Sequence, residues 1–238
     1  GHRVFPGAPV LTRTGSLVEG PGFVPHLSGA DNLRTFWAST GRPLDEAHLD
    51  EVLRIAGLDE SQLHRKVRTY THGMRQRLAI AQAMMGLPEL LVLDEPVNRL
   101  DPPQIRALRA VLRRYADSGR AVLLSSHLLS EVEQTCTHVA VMHEGKLVTS
   151  GPIEELVAAH SETTFRVDDA ESAADALYRL DGLGKVETDA GVVHAELGEH
   201  TPATAVTTLV SAGIAVTGVE RRQRLEDAFL RLVGKEGS

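Results

Sequence analysis

Leu90-Leu91-Val92-Leu93-Asp94-Glu95-Pro96 is the stretch whose reading decides the fold. Four consecutive apolar residues, halted by two carboxylates and a proline, have the length and texture of a strand buried on both faces of a sheet. A second such run, Ala121 to Leu124, lies downstream. Between them Asp101-Pro102 reads as a helix start, Ile105, Leu108, Val111, Leu112 and Tyr115 recur at helical spacing, and Gly119 closes the segment. Strand, helix, strand at this separation predicts a parallel sheet in an α/β fold.

Ligands of open parallel sheets sit beyond the carboxyl ends of the strands, so polar residues there carry functional weight. Asp94 and Glu95 end the first strand, and Ser125-Ser126-His127 follows the second. At such a place Asp94 suits a magnesium ion held through its waters, Glu95 suits orienting or deprotonating an attacking water, and His127 suits a hydrogen bond to a terminal phosphate. Each motif alone has a blander reading, a solvated turn before Pro96 or a helix cap at His127. Upstream, Tyr70-Thr71-His72-Gly73-Met74-Arg75-Gln76-Arg77-Leu78 sets a hydroxyl and a glycine just before a helix that runs to about Met85. Exposed amides at a helix start, a glycine permitting close approach and the Thr71 hydroxyl make an anion site; an ordinary capped helix is the plain alternative.

Farther out, Gly15, Gly20, Pro21, Gly22 and Pro25 crowd into what reads as a loop. Residues 28–70 read as mostly helix. Asp31 is the expected cap, Leu33, Phe36 and Trp37 share a face, and Leu49, Val52, Leu53 and Ala56 precede a closing Gly57. After residue 160 the rhythm shortens into strands near 163–168, 184–188, 191–197 and 214–219, with helices at 170–180, 202–212 and 225–233. Their apolar stripes are Ala173, Leu177 and Leu180; Val206, Leu209 and Val210; and Leu225, Phe229 and Leu232. This small α+β unit clusters no chemistry and reads as regulatory, interacting or structural.

Taken together, these stretches resemble the nucleotide-binding subunit of ABC transporters. Residues 70–77 look like its signature motif, Leu90 to Pro96 like its Walker B strand, Asn98 to Pro102 like its D-loop, and Ser125 to Leu128 like its switch-histidine segment. Residues 16–37 are similar to the Q-loop and the start of a helical subdomain, and Val139 to Leu156 to the end of the core. Leu17-Val18-Glu19-Gly20-Pro21-Gly22-Phe23, Gly73-Met74-Arg75-Gln76 and the closing Leu225-Glu226-Asp227-Ala228-Phe229-Leu230 resemble drug and antibiotic exporters. The resemblance implies a P-loop NTPase core lacking its N-terminal part, over residues 1–158 with a helical subdomain at about 26–86, and a C-terminal α+β domain over 159–238. It implies ATP and Mg2+ as cofactors, with Asp94 and Glu19 serving the metal and Glu95 and His127 catalytic. Thr71, Gly73 and Asp101 would bind the nucleotide, Thr71 and Gly73 from across a dimer with a second ATPase subunit. An integral-membrane permease would be the other partner, engaged by residues between Glu19 and Trp37, with the chain on the cytoplasmic face of the membrane.

The sequence departs from the family pattern in several places. Glu19 stands where Gln is commonest and cannot donate a hydrogen bond while ionised. His72 and Met74 replace a frequent Gly and Gln, and Val97 and Arg99 are unusual beside the D-loop. The largest departure is the phosphate loop, Gly-x-x-x-x-Gly-Lys followed by a hydroxyl residue, whose amides wrap phosphates. Gly-Lys occurs at 145, 184 and 234, preceded at the required glycine position by Ala140, Arg179 and Phe229. Only 18 residues precede Glu19 and the first residue is Gly1, so the expectation is a piece of a longer chain. Two other readings stand beside it. One is a non-catalytic partner that supplies only its signature face to a complete ATPase. The other is an ABC ATPase of translation or repair, which would usually show paired cassettes or long coiled coils.

Composition narrows the rest. With 32 Asp plus Glu against 25 Lys plus Arg and a net charge of -7, no basic stripe favours nucleic acid. Hydrophobic residues at 42% suit a folded globular chain. Cys136, the one cysteine, cannot pair internally and fits a reducing compartment. No apolar run approaches the ~20 residues of a membrane span, and residues 1–10 show no leader pattern. His127, His138 and His143 lack ligand spacing for zinc, and Trp37 and Tyr115 read as core.

Overall fold

In the computed structural model, which describes residues 4–5, 7–18, 20, 22–159, 162–222 and 225–234, the run Leu90–Leu93 is the centre of a three-stranded parallel sheet. Its strands β1 (Thr14–Leu17), β2 (Leu90–Leu93) and β3 (Ala121–Leu124) lie side by side in that order. Helices α1 (Gly29–Ala38), α2 (Leu49–Ala56), α3 (Glu60–Leu63) and α4 (His72–Met84) fill the chain between β1 and β2, and α5 (Pro102–Asp117) joins β2 to β3. Leu17, Leu91 and Leu93 enter a core with Leu78, Ile80, Leu108, Leu112 and Tyr115. Burial of β2 on both faces does not hold. Leu91 and Leu93 are fully buried, Leu90 and Val92 half-buried, and Leu123 of β3 is 59% exposed. Successive strand side chains alternate between faces, and among the described residues one face is buried more deeply than the other.

Three local expectations are corrected. Gly15 belongs to β1 and not to a loop, because strand and α4 approach so closely that a Cβ on Gly15 would collide with the Ala83 carbonyl. The cap of α1 is Ser28, whose Oγ accepts the Asp31 amide at 3.1 Å and donates to Asp31 Oδ2 at 2.6 Å. Asp31 thus sits inside the first turn, where a carboxylate favours the helix dipole. On that helix Leu33 and Trp37 are buried while Phe36 is 38% exposed, so the stripe is narrower than read. Trp37 Nε1 donates to the Pro43 carbonyl at 2.8 Å, and buried Asn32 holds the loop before α1 through both Val24 backbone groups.

The chain divides into two compact units, 1–127 and 128–238. The second contains α6 (Leu129–Thr135), β4 (His138–His143), β5 (Lys146–Pro152), α7 (Ile153–Ala159), β6 (Glu162–Val167), α8 (Ala170–Tyr178), β7 (Val186–Asp189), β8 (Val192–Ala195), α9 (Pro202–Ser211), β9 (Val216–Arg222) and α10 (Leu225–Gly234). Packing groups 128–158 here because α10 lies against α6 and α7. Strands β4 and β5 form a hairpin around Glu144 and Gly145, both at positive φ, as a tight primed turn demands. The other four strands form an antiparallel sheet in the order β7-β8-β6-β9. Phe165, Val193 and Ala195 meet Ala173 and Leu177 of α8 and Ala205 and Leu209 of α9 in a separate core. Val210 is 58% exposed and leaves the stripe read for α9.

Candidate functional site

The parallel register pairs Leu93 with Leu124, so the residues just past β2 and β3 meet. Ser125 is the hinge of that meeting. Its hydroxyl donates to Asp94 Oδ1 at 2.6 Å and accepts the Glu95 amide at 2.9 Å, while its own amide donates to the Leu93 carbonyl. His127 Nδ1 lies 3.0 Å from both Glu95 carboxylate oxygens. The His127 side chain is 63% exposed and that of Glu95 32%, so the cluster opens to solvent. Asp94, Glu95 and His127 therefore form one connected chain of polar contacts at the carboxyl edge of the sheet. Glu95 adopts φ 44°, a left-handed conformation that costs a non-glycine residue about 1–2 kcal/mol.

Thr71 caps α4, its Oγ1 accepting the Met74 amide at 3.3 Å; the first amides of any helix have no partner within it. Thr71 is exposed, whereas Gly73 is buried beneath the side chain of Gln104. Asp101 caps α5 in a capping box, its Oδ1 accepting the Gln104 amide at 2.8 Å. The loop between Glu95 and Asp101 is bound back to α4. Gln76 Nε2 donates to the Pro96 carbonyl at 2.8 Å, and His72 Nε2 lies 3.4 Å from the Asn98 carbonyl. Thr71, Gly73 and Asp101 thus stand on helix starts that this loop connects to the strand-end cluster. Glu19 lies outside the described residues.

Sequence reading missed two participants. The role of Ser125 follows from strand register: one residue past each end of a parallel pair lies beside its counterpart, a signal available once Leu93 and Leu124 are aligned. Gln76 left none, because a side chain reaching a carbonyl 20 residues away is a tertiary event.

The donor set fits one end of a magnesium nucleotide. Carboxylate and hydroxyl oxygens gathered at a solvent-open strand end are the hard ligands that Mg2+ takes, usually with several waters retained. The capped start of α4 supplies amides of the kind that bind phosphate oxygens. The chain holds no Gly-x-x-x-x-Gly-Lys motif to wrap the other phosphates.

The family described as "ABC transporter" matches residues 9–98. The chain is 36% identical over 231 residues to the uncharacterized ABC transporter ATP-binding protein YhcH of Bacillus subtilis, covering 96% of the chain and 74% of that protein. It is 34% identical over 232 residues to the bacitracin transport ATP-binding protein BcrA of Enterococcus faecalis, with 96% and 74% covered. A solved ATP-binding subunit of an ABC transporter aligns at TM-score 0.52 and 27% identity over 63% of each chain. In fold alone, cbiO1 of Clostridium perfringens, part of the cbiONQ complex, aligns at TM-score 0.55 and 23% identity over 71% of this chain and 65% of its own.

Proposed function

From a chain that belongs to the ATP-binding proteins of ABC transporters, we propose the hydrolytic face of an exporter ATPase, coupling ATP hydrolysis to export of a drug- or antibiotic-like substrate through a separate membrane permease. The observation that carries this reading is the link of Asp94, Ser125, Glu95 and His127 at the carboxyl edge of a parallel sheet. Magnesium, when bound, supplies charge neutralisation between phosphates. Asp94 and Glu19 would hold it, and Ser125 fixes the Asp94 rotamer by donating to Oδ1. Glu95 takes the proton of the attacking water onto a carboxylate oxygen, and His127 Nδ1 holds that carboxylate in place. His127 Nε2 is then the nitrogen that turns to the terminal phosphate. Thr71 and Gly73 contact phosphate across a homodimer, with Asp101 beside them.

Support for antibiotic export comes from the bacitracin-transport relative, and the same likeness favours a cytoplasmic station against a permease contacted between Glu19 and Trp37. Among the described residues no helix is long and apolar enough to cross a membrane. Functionally we keep the division at 158/159, with 159–238 as an accessory domain.

The test is Glu95→Gln in a gene product that carries a phosphate loop together with these residues. Turnover should fall by about 10²-fold or more while ATP binding persists. Unchanged steady-state hydrolysis would refute the assignment. It is also the outcome expected if the chain lends only the tip of α4 to a complete partner.

A further inference from the structure

The loop from Glu95 to Asp101 is strapped to the first two turns of α4 at three points. Gln76 Nε2 donates to the Pro96 carbonyl at 2.8 Å, and His72 Nε2 stands 3.4 Å from the Asn98 carbonyl. Gln104 lies across Gly73 so closely that a Cβ there would sit 2.6 Å from Gln104 Cδ, while Gln104 Oε1 accepts the Asp101 amide at 3.4 Å. The loop needs outside support. Glu95 and Arg99 are both at positive φ, and the loop's own backbone bonds are short-range ones, Asn98 N–H to Glu95 and Leu100 N–H to Val97. The helix can give that support, since Leu78, Ile80 and Met84 root it in the core. Of the three straps only Gln76 makes a short bond from a half-buried side chain to a buried residue, Pro96.

Resting on the ATPase reading, we propose that Gln76 is a positioning residue that locks the water-activating Glu95 loop to the phosphate-facing tip of α4. In a dimer, the tip of α4 serves one nucleotide and Glu95 the other. The strap therefore makes one chain's two contributions move as a single body, so that engagement of phosphate at Thr71 and Gly73 sets the register of Glu95. Gln76 touches neither nucleotide; it acts through the Pro96 carbonyl.

Two substitutions separate this from a role in folding alone. Gln76→Met keeps length and removes the donor, whereas Gln76→Lys keeps a donor. Hydrogen exchange on this chain, without nucleotide, should show the Asn98 and Leu100 amides exchanging about fivefold faster in Gln76→Met and near the parent rate in Gln76→Lys. In the gene product with a phosphate loop, Gln76→Met should lower kcat about tenfold with the ATP KM within about twofold, and Gln76→Lys should restore it. Unchanged exchange overturns the proposal. So does faster exchange spread evenly through α4 and β2, or faster loop exchange with kcat untouched, since the loop would then be held for stability alone. Survival of hydrolysis in Glu95→Gln would remove the ATPase assignment instead, and the exchange measurement, needing no nucleotide, reads the strap independently.

Discussion

The Ser125 hydroxyl serves two neighbours, as donor to Asp94 Oδ1 and acceptor from the Glu95 amide. Ser125→Ala should therefore raise the Mg2+ concentration for half-maximal turnover several-fold in the gene product with a phosphate loop. Because the cluster is open to water, unfolding in urea should shift by no more than about 1 kcal/mol. Equal loss of stability and turnover would mean that Ser125 holds the fold and not the site. Tyr115 shows the opposite balance. It is fully buried, its hydroxyl donates to the Pro88 carbonyl at 2.6 Å, and burial pushes its pKa up to about 12. With the folded value above the unfolded one, the tyrosine's contribution is complete below about pH 10, where both states are protonated. It is lost as pH rises toward 12, because the unfolded chain ionises first. Unfolding free energy measured over that window should drop by roughly 2–3 kcal/mol, and Tyr115→Phe should remove that share of the drop. At this scale Asp94, Glu95 and His127 were legible because strand ends declare themselves in sequence. Ser125 was not, since its partners depend on which residues of two strands lie abreast.

Helices and strands were read well where a stripe or a stop was chemically plain. Asp101-Pro102 opened α5, Gly57 and Gly119 lie at or just beyond the ends of their helices at positive φ, and the small strands after residue 160 lie within a few residues of their expected bounds. The reading failed at Gly15, where composition argued for a loop and contact with α4 decided for a strand. That failure is itself testable. Gly15→Ala forces either the strand or the Ala83 turn to move, so chemical denaturation should show a loss of about 1–3 kcal/mol, as overpacking generally costs. The capping box of α5 has the character of a local feature. Asp101→Ala should lower stability by about 1 kcal/mol, a loss that Asp101→Asn largely avoids.

Two cores that share no residue organise the molecule, one around Leu78, Leu91 and Tyr115 and the other around Phe165, Leu177 and Leu209. Phe165→Ala should cost about 3–5 kcal/mol in the unit that holds it. Hydrogen exchange should locate the loss in β6, β8 and β9 and leave the Glu95 and Ser125 amides at their parent rates. Acceleration at Glu95 would show that the two units unfold together. The existence of two units was legible from the change in rhythm near residue 160. The grouping of 128–158 was not, because it depends on where α10 comes to rest. The left-handed backbone at Glu95 has a consequence for how such a protein can change over generations. Only glycine adopts that conformation at no cost, so heat resistance and chemistry pull on this codon in opposite directions. Lineages screened for thermal survival alone should drift toward glycine at position 95, whereas lineages selected for the proposed ATP turnover should retain glutamate and tolerate the lower melting point.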